Sequence, residues 1–116
     1  LKVLLDENLD HALRMLLIPH EAYTVSHLGW SGIQNGALLA AAEGAHIDVL
    51  LTGDQTLRYE QNLLGRRLAI VTLSTIRLPM SKENLPTIVA ALDRATPGSF
   101  QAIECGSFTR KRNPKS

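Results

Sequence analysis

Three continuous apolar runs frame the chain. Lys2-Val3-Leu4-Leu5 stops at Asp6, Asp48-Val49-Leu50-Leu51-Thr52 stops at Gly53-Asp54, and Leu68-Ala69-Ile70-Val71-Thr72-Leu73 stops at Ser74-Thr75. Short apolar runs without alternation predict strands covered on both faces, as in a parallel sheet. Tyr23-Thr24-Val25 is a shorter strand candidate, and Phe100-Gln101-Ala102-Ile103 follows the turn signal Pro97-Gly98.

Helical spacing fills the intervals. Leu9, Ala12, Leu13, Leu16 and Leu17 form an i, i+3, i+4, i+7, i+8 stripe, with Asn8 as an N-cap and Pro19 as the stop. Asn35 can cap a second helix that carries Leu38, Leu39 and Ala42 and closes at Gly44. Gln55 to Leu64 gives a weaker, short helical pattern. Leu85, Ile88, Val89 and Leu92 make a late helix, with Pro86 tolerable in its first turn. The resulting order is β-α-β-α-β-α-β-α-β. It predicts one α/β domain, a doubly wound, mostly parallel sheet with helices on both faces.

Length and composition agree with that frame. The 116 residues suffice for one domain, and 45% hydrophobic with 20% charged residues is a globular balance that excludes wholesale disorder. The single cysteine, Cys105, excludes an internal disulfide framework and a Cys/His zinc module, and it fits a reducing, cytoplasmic setting. No run reaches the ~20 apolar residues of a membrane span. Asp6-Glu7 directly after Leu1–Leu5 does not suit a signal peptide.

Charge divides the chain unevenly. The net charge is +1, but Arg110, Lys111, Arg112 and Lys115 lie in the last seven residues; without them, eight basic side chains face 11 acidic ones. A domain over residues 1–108 is therefore expected to end in a basic tail, 109–116, with no packed structure beyond about Phe108. The tail reads either as a solvated end or as an electrostatic arm for phosphates.

In doubly wound sheets the working site lies beyond the carboxyl ends of the strands. Those positions carry Asp6, Glu7 and Asn8, then Gly53, Asp54 and Gln55, then Ser74 and Thr75. If the first and third strands are neighbours, Asp6 and Asp54 converge. Paired carboxylates repel unless a cation neutralises them, and hard oxygen ligands suit Mg²⁺ or Mn²⁺ rather than zinc. The competing reading is that Asp6 and Asp54 only cap the next helices. Other chemistry is poorly supplied. Gly29, Gly32 and Gly36 form no dinucleotide signature, and Ser74 and His46 lack triad spacing. His11, His20, His27 and His46 are scattered, Cys105 reads as packing, and Trp30 reads as a local core plug.

Four stretches in order carry a resemblance. Val3-Leu4-Leu5-Asp6-Glu7-Asn8-Leu9 resembles the opening of a PIN-like family of small prokaryotic proteins. The likeness continues through Leu28-Gly29-Trp30-Ser31-Gly32 with Asn35-Gly36-Ala37-Leu38-Leu39, then Asp48–Gln55, then Tyr59-Glu60-Gln61-Asn62-Leu63. It spans roughly residues 2 to 103. The family's members resemble toxin components of toxin–antitoxin pairs, and the wider fold is a metal-dependent RNA nuclease. The resemblance implies a toxin-type ribonuclease that hydrolyses RNA phosphodiesters with Mg²⁺ or Mn²⁺. Asp6 and Asp54 would be metal ligands, Glu7 a further catalytic acid, and Asn8 and Gln55 supporting residues. It implies a cognate antitoxin protein and RNA as partners; a homodimer is allowed for, and no membrane is expected.

One position departs from that pattern. Ala37 stands where relatives carry a Glu on the first turn of the second helix, so the implied acidic site is short of a carboxylate. Glu43 lies about two turns away, ~9 Å along the axis, and cannot replace it. This leaves a weakened or inactive nuclease, or a non-catalytic PIN-like protein that engages a partner. A receiver-like phospho-acceptor domain fits less well, because Ile103-Glu104-Cys105-Gly106 offers no lysine to meet a phosphoryl group.

Overall fold

A computed structural model describes residues 1–18, 20–33, 35–57 and 65–105. Its strands are β1 (Lys2–Leu5), β2 (Glu21–Thr24), β3 (Val49–Thr52), β4 (Ala69–Leu73) and β5 (Phe100–Ile103). Its helices among the described residues are α1 (Leu13–Leu16), α2 (Asn35–Gly44), α3 (Leu78–Glu83) and α4 (Leu85–Arg94). The stop at Pro19, the Gln55–Leu64 helix beyond Leu57, the Tyr59–Leu63 stretch and the basic tail lie outside the described residues.

All four strand pairings are parallel, in the order β2-β1-β3-β4-β5. The apolar runs are continuous because both faces are covered, and alternate residues go to opposite sides. Val3, Leu5, Val49, Leu51, Val71 and Leu73 pack with Leu13, Leu17, Ile88 and Leu92. Leu4, Leu50 and Ile70 pack on the other face with Val25, Leu38, Leu39 and Ala42. So α1 and α4 share one face, and α2 covers the other. At roughly 25 cal/mol per Å² of buried apolar area, these two layers supply the main favourable term for folding.

Several local readings are corrected. The first helix is short: residues 7 to 12 are turns, and Asn8 does not cap it. Asp10 organises that entrance instead, its Oδ1 accepting the Ala12 N–H at 2.8 Å. The expected stripe still packs in part, since Leu9, Leu13 and Leu17 are buried while Ala12 is exposed. β2 begins at Glu21, two residues before the expected start. α2 opens at Asn35 and ends at Gly44, but the left-handed residue that terminates it is His46, with φ of 62°. Ile47 N–H donates to Ala42 O and His46 N–H to Glu43 O, which closes a Schellman motif. Ile47 is buried beside Ala42, so its burial sets the position of the cap. The helix α3 was not expected; Pro79 in its first turn was the available signal.

Candidate functional site at the β1 and β3 strand ends

The 2-1-3-4-5 order puts the topological switch point between β1 and β3, where one chain connection leads left to β2 and the other right to β4. The β1–β3 ladder pairs Leu5 with Leu51, and Asp6 N–H donates to Leu51 O at 3.0 Å. The ladder thus runs one residue past β1 and sets Asp6 beside Thr52.

The two residues are bonded through their side chains. Thr52, fully buried, donates its hydroxyl to Asp6 Oδ2 at 2.7 Å. The same Oγ1 accepts the Asp54 N–H at 3.0 Å. Both aspartates expected at the site are therefore tied to one hydroxyl. Asp6 Oδ1 accepts the Glu7 N–H at 2.8 Å, which leaves further acceptor capacity on each of its oxygens. Asp54 Oδ1 accepts both the N–H and the hydroxyl of Thr56, at 2.9 and 2.7 Å. Asp54 thus closes a local turn onto Thr56 at the switch point.

The supporting residues knit neighbouring loops together. Asn8 Oδ1 accepts the Gly53 N–H at 3.2 Å, joining the loops after β1 and β3. Gln55 Nε2 donates to Leu73 O at 3.1 Å, joining β3 to the end of β4. Glu7 is exposed, and its Oε1 accepts the Gly32 N–H at 2.9 Å, which fastens the loop after β2 to the site. Gly53 permits a close approach: a Cβ there would overlap the Ile76 side chain, while Asn8 Oδ1 and Leu9 would lie at ordinary contact distance, 3.6 Å. Ile76 of the loop after β4 consequently lies directly over Gly53.

Ala37 falls on the same end and face of the sheet. As the crossover from β2 to β3, α2 starts at the carboxyl end of the sheet and runs back. It packs on the face that carries Leu4 and Leu50. Asp6 and Thr52 lie two residues further along those strands, so they project to that same face. Ala37, on the first turn, is exposed and brings no carboxylate to it.

A divalent ion can be tested against this donor set. Among the described residues, no group of three or more His, Cys, Asp or Glu side chains comes together. Mg²⁺ commonly keeps several waters and takes only one or two carboxylates plus substrate phosphates. Asp6, its orientation fixed by Thr52, offers hard oxygens suited to that mode, while Asp54 is joined to the same hydroxyl through its backbone N–H and turns Oδ1 to Thr56.

The remaining candidates are structural. His20 Nε2 pairs with Asp93 Oδ1 at 2.8 Å, Trp30 packs against the α2-side core, and Cys105 is buried. Burial pushes the Cys105 thiol above its ordinary range. Among the described residues, no helix is long and apolar enough to cross a membrane. Comparison with protein-family models, with curated proteins and with solved structures finds no match for the chain. Sequence reasoning missed Thr52, read only as a strand end, and Ile76; the polar residue closing an apolar run beside Asp54 was the one signal for Thr52.

Proposed function

We propose that the chain is a PIN-like, toxin-type ribonuclease of the cytoplasm, with a reduced acidic site that uses Mg²⁺ or Mn²⁺. The observation that carries this reading is the Thr52 hydroxyl, which binds the Asp6 carboxylate and the Asp54 backbone together at the switch point. In the proposed site Asp6 and Asp54 hold the ion. When bound, it supplies a water of lowered pKa and compensates charge on the scissile phosphate. Thr52 fixes the rotamer of Asp6, Asn8 holds the Gly53 loop against β1, and Gln55 fixes that loop to β4. Glu7 keeps one oxygen on Gly32 and supplies negative charge at the rim. The cognate partner in this reading is an antitoxin protein.

The test is cleavage of single-stranded RNA with Mn²⁺ by the wild type, Asp6→Asn and Asp54→Asn. Loss of cleavage in both variants is expected. Equal cleavage by all three proteins would overturn the assignment. A second reading is favoured by the exposed Ala37: a non-catalytic protein that keeps the fold and engages a partner. That reading predicts partner binding with no RNA cleavage by the wild type.

A further inference from the structure

We propose that Arg77 binds the phosphate backbone of the substrate at the strand-end site. This rests on the ribonuclease reading and names the group that would hold the RNA. An acidic site needs help to receive a polyanion, because carboxylates and phosphates repel. The described residues of the loops that follow the five strands are 6–12, 25–33, 53–57, 74–77 and 104–105. Within them Arg77 is the only lysine or arginine.

Its place is fixed by two contacts. The preceding Ile76 lies against Gly53, immediately before Asp54. Gln55 Nε2 bonds Leu73 O, so the loops after β3 and β4 are fastened at a second point. The Arg77 backbone is extended, with φ of −86° and ψ of 124°, and its N–H donates to Thr75 Oγ1 at 3.1 Å. The side chain is exposed, and among the described residues its guanidinium has no hydrogen-bond or ion-pair partner. A planar fork of donors without a partner, on the strand-end loop that packs against Gly53, matches a non-bridging phosphate oxygen pair.

Arg67 supplies an internal control. It precedes β4, at the opposite end of the sheet, and is also exposed. Removing either charge alters the net charge equally. Binding of a single-stranded RNA oligonucleotide would be measured in EDTA, over a salt series, for the wild type, Arg77→Gln, Arg77→Lys and Arg67→Gln. Arg77→Gln is expected to weaken binding roughly tenfold at low salt and to flatten the salt slope by about 0.7, the contribution of one phosphate contact. Arg77→Lys should recover part of the affinity, and Arg67→Gln should match the wild type. RNA binding by the wild type that is unchanged in Arg77→Gln overturns this inference and leaves the ribonuclease reading standing. Equal losses in Arg77→Gln and Arg67→Gln overturn it too, as a net-charge effect. A wild type that binds no RNA overturns both. Unaltered circular dichroism of Arg77→Gln would confirm that the fold is intact.

Discussion

Thr52 donates to Asp6 across the β1–β3 boundary at 2.7 Å, and it does so from a fully buried position. One hydroxyl serves as donor to a carboxylate and acceptor to the Asp54 N–H. Replacing Thr52 by Val keeps the shape but strands both partners. Asp6 and Asp54 are half-buried and partly reachable by water, so losing the hydroxyl should cost about 1–2 kcal/mol, besides leaving the Asp6 carboxylate unoriented. Thr52→Ser keeps the hydroxyl and loses one methyl, so it should cost only ~1 kcal/mol. Urea unfolding of the two variants checks this. A Thr52→Val protein as stable as the wild type would show that the bond contributes nothing to the fold.

Much of this architecture was legible in the sequence. Buried parallel strands must be apolar on both faces, so Val3–Leu5, Val49–Leu51 and Ile70–Leu73 announced themselves. The strand-end rule then pointed to Asp6 and Asp54. What stayed hidden depended on tertiary register. That Thr52 lies beside Asp6 follows only once β1 and β3 are known to be neighbours. Asn8 looked like a cap by residue type, yet it spends its acceptor on Gly53 in another loop. The first helix was overextended because the Leu9, Leu13 and Leu17 stripe can be buried by turns as well as by helix. α2 ends at Gly44 as expected, but Ile47, needing burial, carries the left-handed position on to His46.

Glu43 gives the fold a pH dependence. Burial alone would raise its carboxyl, but hydrogen bonds from the Leu68 and Arg67 N–H groups and from Arg66 outweigh that and hold it below the ordinary carboxylate range. Its oxygens accept from Arg66 Nη1 at 2.6 Å and from the Arg67 N–H at 2.9 Å. A carboxyl whose folded value is depressed stabilises the protein above its unfolded value. That contribution fades as the pH falls through the folded value. The wild type should therefore exceed Glu43→Gln in stability at about pH 7, and the gap should narrow towards about pH 3. Urea midpoints measured across that range check it. A gap that widens on acidification would contradict the direction assigned here.

Ala37 offers the sharpest test of the site, because its position and its chemistry can be separated. It lies on the first turn of α2, at the end and face of the sheet that carry Asp6 and Thr52. Ala37→Glu should fold, since Glu is a good helix former and a negative charge near a helix N-terminus meets the favourable end of the dipole. Repulsion from Asp6 and Asp54 limits its stability without metal. With Mn²⁺, three carboxylates should bind roughly tenfold more tightly than two, about 1.4 kcal/mol. Calorimetry with Mn²⁺ on the parent chain, Ala37→Glu, and Ala37→Glu in an Asp54→Asn background reads this directly. The gain should vanish in the third protein, because the added carboxylate then faces only Asp6. Ribonuclease activity should rise together with metal affinity if the missing carboxylate is what weakens the site. Tighter metal binding without a gain in RNA cleavage would favour the non-catalytic reading. No gain in metal binding would mean that the first turn of α2 points its side chains away from Asp6, and that the shared face of the sheet does not extend to position 37.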